Sequence, residues 1–173
     1  MRKGLDLDRV VLLGRTFGEY VRYFAVAPEE FRQKRILDVA AGVSSFCPEA
    51  TAQGFNVVAF DPIYQLAPEE IALRCAEDLD FVVRAIGDLK VYRWGFYKNP
   101  QRMRHFRERS WRTFLDDYRR HRGERYMAGL LPRTPFVDRQ FDISLVSYFL
   151  FVYQDQLSYE FHKDSILELM RIS

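Results

Sequence analysis

The chain has 173 residues, of which 48% are hydrophobic and 29% are charged, and its formal net charge is +2. This composition is typical of a single globular domain and argues against a disordered or fibrous protein. Cys47 and Cys75 lack the spacing of a disulfide framework or a zinc knuckle. Residues 1–8 lack the apolar stretch of a signal peptide, and the longest apolar run, 144–153, is too short to span a bilayer. We therefore expect a cytoplasmic protein without a membrane segment.

The N-terminal part of the chain predicts two helices that lead into a buried strand. Apolar residues recur at spacings of three and four over residues 9–24, which predicts an amphipathic helix. Pro28 is followed by two acids, which predicts a second, short helix because proline and negative charge both favour a first turn. The apolar run 35–42 ends in small residues and predicts a buried strand that enters a tight turn.

This strand begins a compact βαβ unit. A helix is predicted from Pro48 until Gly54, and residues 56–60 predict a second buried strand, closed by Asp61. The crossover of such a unit is right-handed. A nucleotide-like ligand can lie across these strand ends, because small residues let it approach the backbone. There Asp61, 19 residues after Gly42, can accept two hydrogen bonds from a ribose diol.

A long basic and aromatic segment, residues 65–124, follows the second strand. Apolar spacing over 71–89 predicts a long helix that begins at Pro68, and residues 111–118 fit the face of another. Between residues 93 and 125 there are 11 Arg and Lys against 4 Asp and Glu, a net charge of +7. We interpret the segment as an amphipathic helical cap or lid with solvated arginines, and a nucleic-acid surface is the alternative. A basic lid would suit an anionic substrate.

The last part of the chain predicts two more strands and a helix. Residues 126–131 are a weaker strand, followed by a loop with two prolines, and residues 141–147 are a clear buried strand. A final helix is predicted over 157–170. Part of its apolar set is Phe161, Ile166, Leu169 and Met170.

Four segments, in the correct order, resemble the motifs of class I S-adenosylmethionine-dependent methyltransferases. Residues 38–44 resemble the first motif, D/E-x-G-x-G-x-G, and residues 57–62 resemble the second, whose acid binds the ribose. Residues 126–136 are similar to the third strand with its LPF loop, and 141–147 to the fourth-strand motif, FD-x-V/I-x-x-S. The resemblance covers roughly residues 14–173. It implies a doubly wound, Rossmann-like α/β fold with a mostly parallel sheet in the order 3-2-1-4 and a helical insert after strand two.

The resemblance also implies a cofactor, S-adenosyl-L-methionine, and transfer of its methyl group to an unassigned acceptor. The turn would face the methionine end of the cofactor, the acid after strand two would hold the ribose, and the third strand would line the adenine pocket. Positioning and partial desolvation would drive in-line displacement, and no catalytic residue is identified. The implied cofactor-binding residues are Asp38, Ala40, Ala41, Gly42, Val43, Ser44, Asp61, Pro62, Ile63, Gly129, Leu130 and Ser147.

The chain departs from the family pattern in three places. Ala40 and Ser44 replace motif glycines, and because alanine tolerates positive φ poorly, we expect the turn to differ or relax. Leu130 stands where many members carry an adenine-binding acid. The family's C-terminal strands are missing, which predicts a fragment or a natural truncation. The fourth strand would then be a sheet edge with an apolar run, 145–152, that favours self-association.

Two other classes of function remain open. An NAD-dependent oxidoreductase needs a GxGxxG turn that presents a helix N-terminus to a pyrophosphate. Residues 40–45 contain one glycine, and Asp38 precedes them, which disfavours this class. A non-catalytic module that binds a cofactor or a partner would keep the fold and lose turnover, which fits the lost glycines and strands.

A few further side chains are candidates for catalysis or cofactor binding. Tyr148, Tyr153 and His162 are candidate general bases, although packing or solvent exposure is the more common role of such residues. Arg15 is a candidate to close over the cofactor carboxylate, against an ordinary surface arginine. The histidines have no metal-ligand spacing, so no metal site is predicted. They are His105, His121 and His162.

Overall fold

The computed structural model describes residues 10–87 and 94–173. Within these ranges the chain has an α/β fold with four strands and five α-helices. Short 3₁₀ helices cover Pro28–Phe31 and Pro62–Gln65. In chain order the other elements are α1 (Phe17–Phe24), β1 (Arg35–Val39), α2 (Phe46–Ala52), β2 (Asn56–Phe60), α3 (Pro68–Gly87), α4 (Pro100–His121), β3 (Tyr126–Met127), β4 (Ile143–Val146) and α5 (Tyr159–Ile172).

The strands form one parallel sheet in the order β3-β2-β1-β4, which confirms the predicted order. Ile36 and Leu37, neighbours on β1, belong to different core clusters because successive strand residues point to opposite faces. The cluster of Ile36 includes side chains of α1, α2 and α4, and that of Leu37 includes Ile172 of α5. Helices therefore cover both faces, as in a Rossmann-like fold, and this explains why β1 is apolar on both sides.

The predicted N-terminal helix over 9–24 is wrong in its first half. Helix α1 begins only after Thr16, whose side chain accepts a hydrogen bond from Glu19 N, while Glu19 accepts one from Thr16 N at 2.9 Å. This capping box stops the helix from extending towards the N-terminus. Residues 10–16 are therefore not helical, and Arg9 lies outside the described residues.

Other element boundaries differ from the predictions for local reasons. Strand β3 stops at Met127 rather than at residue 131, because its ladder partner, Phe60, is the last residue of β2. Helix α2 begins two residues before Pro48, which sits in its first turn. The predicted extension of α3 to Leu89 lies outside the described residues.

Helix α5 exposes part of its apolar set. Phe161 and Leu169 pack against the sheet, but Ile166 and Met170 are 40% and 69% exposed. Strand β4 pairs only with β1 within the described ranges, so it is an edge of this sheet. Self-association through that edge remains a prediction.

The segment after β2 packs as an amphipathic cap. Helices α3 and α4 pack against each other, and α4 also contacts α2. The inner face of α4 carries Met103, Phe114 and Tyr118, all buried, while arginines such as Arg109 and Arg112 are exposed on its outer face. No helix in the described part of the chain combines the length and apolar character needed to cross a bilayer.

Candidate functional site

A cavity of about 840 Å³ lies at the carboxyl ends of β1, β2 and β4. In open parallel sheets this is where ligands bind, and the volume falls within the roughly 300–1,000 Å³ of small-molecule sites. Eleven of the twelve residues implied as cofactor contacts line it, and Asp38 does not. The eleven are Ala40, Ala41, Gly42, Val43, Ser44, Asp61, Pro62, Ile63, Gly129, Leu130 and Ser147.

The turn after β1 keeps the backbone of a glycine-rich loop despite its alanine. Ala40 has φ 51° and Gly42 has φ 55°, so both lie in the left-handed region. The expectation that Ala40 would make this turn differ is therefore wrong. Ala40 instead adopts the left-handed conformation, which costs roughly 1–2 kcal/mol for a residue with a Cβ. The hydroxyl of Tyr64 donates to the Gly42 carbonyl at 2.9 Å, and Ala41 N donates to the carbonyl of Phe60 at 3.3 Å. These bonds from β2 and the chain after it stabilise the strained turn.

The amides at the start of α2 are already used within the protein. The N–H groups of residues 42, 44, 45 and 46 each donate to a protein acceptor. A pyrophosphate would need such amides as free donors. The donor–acceptor pairs are Gly42 with Asp61 Oδ2 at 2.9 Å, Ser44 with the Ala41 carbonyl at 3.2 Å, Ser45 with the Arg15 carbonyl at 2.9 Å and Ser110 Oγ at 3.1 Å, and Phe46 with Ser44 Oγ at 3.1 Å.

Asp61 is held in one orientation at the end of β2. Its Oδ1 accepts from Ile63 N and its Oδ2 from Gly42 N, both at 2.9 Å. Burial raises the pKa of Asp61 to about 6, although these two amides act in the opposite direction. Each carboxylate oxygen has a further lone pair, so the group retains the capacity to accept hydrogen bonds from a ligand.

Asp38 is buried and is not among the residues that line the cavity, and its role as a ligand contact stays a prediction. The side chain is fully buried, and its Oδ1 accepts from the hydroxyl of Tyr20, a cavity residue, at 2.9 Å. Its Oδ2 has no hydrogen-bond partner among the described residues. Burial, together with the negative charge of Asp61, raises the pKa of Asp38 well above its usual value. The hydroxyl of Tyr20 therefore connects Asp38 to the cavity wall.

Two residues of the cavity wall have a buried polar atom without a protein partner. Arg15 and Ser147 line the cavity, and neither Arg15 Nε nor Ser147 Oγ has a hydrogen-bond partner within the described residues. The Arg15 guanidinium lies 4.7 Å from the ring centroid of Tyr148, which itself has φ 53°. Unsatisfied buried groups and a strained residue often mark a ligand site.

Gly129 is required where the chain after β3 crosses the end of β2. A Cβ at this position would lie 2.4 Å from the ring of Phe60, so no larger residue fits without movement. Leu130, the next residue, is 59% exposed and lies at the cavity wall. The third motif therefore contributes backbone and an apolar side chain to the site.

The three candidate general bases differ in their position relative to the cavity. Tyr148 and Tyr153 line the cavity, and Tyr153 accepts a hydrogen bond from Val11 N at 3.2 Å. Burial raises the pKa of Tyr153, which favours the protonated phenol that cannot act as a base. His162 lies outside this cavity, with its ring nitrogens 2.8 Å and 2.7 Å from the carbonyls of Ser158 and Leu150. It therefore connects α5 to the preceding loop.

The other histidines have surface positions on α4. His105 is exposed, and His121 contacts Glu124 at 3.0 Å. No cluster of three His, Cys, Asp or Glu side chains suited to a metal ion occurs in residues 10–87 and 94–173.

Comparison with curated proteins finds a relative in the archaeon Methanocaldococcus jannaschii, the uncharacterized protein MJ0045. The two are 44% identical over 171 residues, which is 98% of this chain and 76% of the relative. The chain belongs to the MJ0045 family. No family model matches the sequence. No solved structure matches it either.

In this member of the MJ0045 family, sequence reasoning missed a buried ion pair beside the cavity. Arg107 and Glu19 are 3% and 1% exposed, and their nearest side-chain atoms are 2.5 Å apart. The hydroxyls of Tyr23 and Tyr97 also donate to Glu19. Burial raises the pKa of Glu19, but the bonds and charge of Arg107 outweigh this effect and lower it to about 2.

The pair joins the cap to the N-terminal helix. Arg107 belongs to α4 and Glu19 to α1, and Arg107 lines the cavity together with Tyr23 and Tyr97. The Thr-x-x-Glu pattern that begins at Thr16 is a sequence signal for Glu19. No such signal distinguishes Arg107 from the other basic residues of its segment.

Proposed function

We propose that the chain binds S-adenosyl-L-methionine in the cavity and acts as a methyltransferase on an acceptor not yet assigned. The observation that carries the proposal is the convergence of four motif segments, distant in sequence, on the wall of one cavity. Motifs can occur in the family's order without lying near one another in space. Here all four segments contribute residues to one cavity. The occupied amides at the start of α2 support this cofactor over a dinucleotide, whose pyrophosphate needs free donors.

The residues present fit this cofactor. Asp61 would accept from the ribose hydroxyls, and Pro62 and Leu130 would contact the adenine. The unpartnered Arg15 Nε and Ser147 Oγ would contact the amino-acid end. When bound, the cofactor supplies a methyl group on a sulfonium, an electrophile that a positioned nucleophile can attack. The protein would hold the acceptor in line and exclude water.

Asp61→Ala is expected to weaken binding of S-adenosylhomocysteine by roughly 1–3 kcal/mol, the scale of a lost buried hydrogen-bond partner. Isothermal titration of the purified chain measures this effect. Asp116→Ala is the matched control, because Asp116 is exposed on α4 away from the cavity. Unchanged affinity in Asp61→Ala would remove the ribose assignment.

The same titration with NAD separates the classes of function. Binding of S-adenosylhomocysteine alone supports the proposal, and preference for NAD would indicate an oxidoreductase. Binding of neither ligand would contradict the proposal. Binding of S-adenosylmethionine without transfer to any acceptor offered would favour a non-catalytic module.

Affinity for S-adenosylhomocysteine is expected to fall as the pH decreases through about 6. Burial raises the pKa of Asp61 to about 6, so the carboxylate that accepts from the ribose becomes protonated below this pH. Titrations between pH 5 and pH 8, roughly one to two units on either side of that value, measure the effect. Asp61→Asn cannot titrate and should show a flatter profile. An equal pH dependence in both proteins would assign the titration to another group.

A further inference from the structure

The cavity extends well beyond the residues that would hold the cofactor. A second part of its wall is formed by Val11, Leu13, Val82, Ile86, Met103 and Tyr153, which we call the apolar chamber. Val82, Ile86 and Met103 form one buried cluster, against which Val11 and Leu13 pack. Tyr153 is tied to Val11 by its hydrogen bond. The cap and the N-terminal segment thus line a space that the cofactor motifs do not reach.

The charged residues that line the cavity in the described part of the chain are Arg15, Asp61, Arg74 and Arg107. Arg107 is neutralised by Glu19, and the Arg15 guanidinium donates to the Leu13 carbonyl and stacks on Tyr148. Arg74 lines the cavity and its charge acts on Asp61. Among the described residues, none of the six side chains that form the apolar chamber carries a charge.

Some of the arginines that suggested a basic lid face away from the chamber. Met103, Arg107 and Phe114 recur at steps of four and seven on the inner face of α4, and all are buried. Arg109 and Arg112 are exposed on the opposite face of the same helix. Moving a phosphate or carboxylate into an apolar chamber carries a large desolvation cost, whereas burying an apolar ring there is favourable.

We infer that the apolar chamber binds the methyl acceptor and that this acceptor is an uncharged, largely apolar small molecule. The claim that the chamber holds the methyl acceptor rests on the proposed function. Its preference for uncharged, apolar molecules does not. In the transfer, a lone pair on the acceptor forms the bond to the methyl carbon, and the electrons of the broken bond remain on sulfur. The proton of the acceptor passes to water, so charge and atoms balance.

The test compares two probes that share one ring system, 2-naphthol and 2-naphthyl phosphate. Fluorescence titration of the full chain is expected to show binding of 2-naphthol at least about tenfold tighter than that of the phosphate. Tighter binding of the phosphate would overturn the inference and favour an anionic acceptor. Binding of neither probe would also overturn it, because the chamber would then not bind a small apolar molecule.

Substitutions in the chamber wall test whether 2-naphthol binds in the apolar chamber. Val11→Trp fills the chamber from a half-buried wall position and is expected to weaken 2-naphthol binding about tenfold or more. Val137→Trp is the control, because Val137 is 67% exposed and does not line the cavity. Equal affinity of both variants for 2-naphthol would overturn the assignment. Leu13→Trp serves the same purpose if Val11→Trp does not fold.

The two proposals fail separately. Asp61→Ala should keep its affinity for 2-naphthol, and Val11→Trp should keep its affinity for S-adenosylhomocysteine. If 2-naphthol binds the chamber and S-adenosylhomocysteine does not bind, the chamber stands and the methyltransferase proposal falls. If S-adenosylhomocysteine binds and 2-naphthol does not, the methyltransferase proposal stands and the inference about the chamber falls.

Discussion

Glu19→Gln is expected to lower the free energy of unfolding by about 3–5 kcal/mol, because it leaves a buried arginine without its counter-charge. Glutamine has nearly the same shape and can still accept the capping bond from Thr16 N. The substitution removes the charge, and because an amide nitrogen replaces one carboxylate oxygen, it also removes some of the hydrogen bonds that Glu19 accepts from Arg107 and the neighbouring hydroxyls. Arg107 would remain 3% exposed with its guanidinium uncompensated. Since the pair joins α4 to α1 at the cavity wall, the cap should loosen as well.

Urea unfolding followed by circular dichroism measures this loss. Glu108→Gln is the matched control, because Glu108 forms an ion pair with Arg104 that is 30–40% exposed. Pairs of this kind at positions i and i+4 contribute only about 0.3–0.5 kcal/mol. Equal losses in the two variants would show that burial does not strengthen the Arg107 pair.

The pH dependence of unfolding gives an independent check. The pKa of Glu19 is lowered to about 2 from 4.5, so its stabilising contribution is present above the unfolded value and is lost as the pH falls towards 2. The wild-type protein should therefore lose stability over this acidic range more steeply than Glu19→Gln. Parallel curves would contradict the assigned pKa.

Gly42→Val is expected to abolish binding of S-adenosylhomocysteine while the fold survives. Gly42 lines the cavity, and a Cβ at this position would meet no protein atom within 4 Å, so the new side chain would occupy ligand space. Its φ of 55° adds backbone strain of roughly 1–2 kcal/mol to the folded state. Titration of the folded variant measures the binding.

Gly54→Val separates strain from occlusion. Gly54 has φ 86° and also has open space around its Cβ position, but it lies between α2 and β2 and does not line the cavity. The two variants should therefore lose similar stability, and only Gly42→Val should lose the ligand. Normal binding by Gly42→Val would show that this turn does not approach the cofactor.

Much of the sheet could be predicted because its information is local. The runs at residues 35–39 and 56–60 are apolar on both faces, which is the pattern of strands covered by helices on both sides. Gly42 and Asp61 mark where β1 and β2 end, and Gly54 marks the end of α2. The parallel arrangement then places the strand ends at one edge, so eleven of the residues that line the cavity could be predicted from their positions.

Other features depended on partners that sequence spacing does not reveal. Thr16 ends an apolar pattern that would otherwise predict a longer helix, because its cap competes with helical hydrogen bonds. Asp38 was predicted to contact the ligand, and the structure adds a hydrogen bond from the hydroxyl of Tyr20, 18 residues away in sequence. His162 was a candidate base until two carbonyl contacts placed it outside the cavity.

The sequence by itself determined which residues are apolar, where strands end and which turn follows β1. Only the tertiary structure decided which charges are buried and what they pair with. Arg107 is one of many arginines in its segment, and its partner Glu19 is 88 residues away. The stability of a buried charge depends on the distance to its counter-ion and on the loss of water, and both are set by packing between elements.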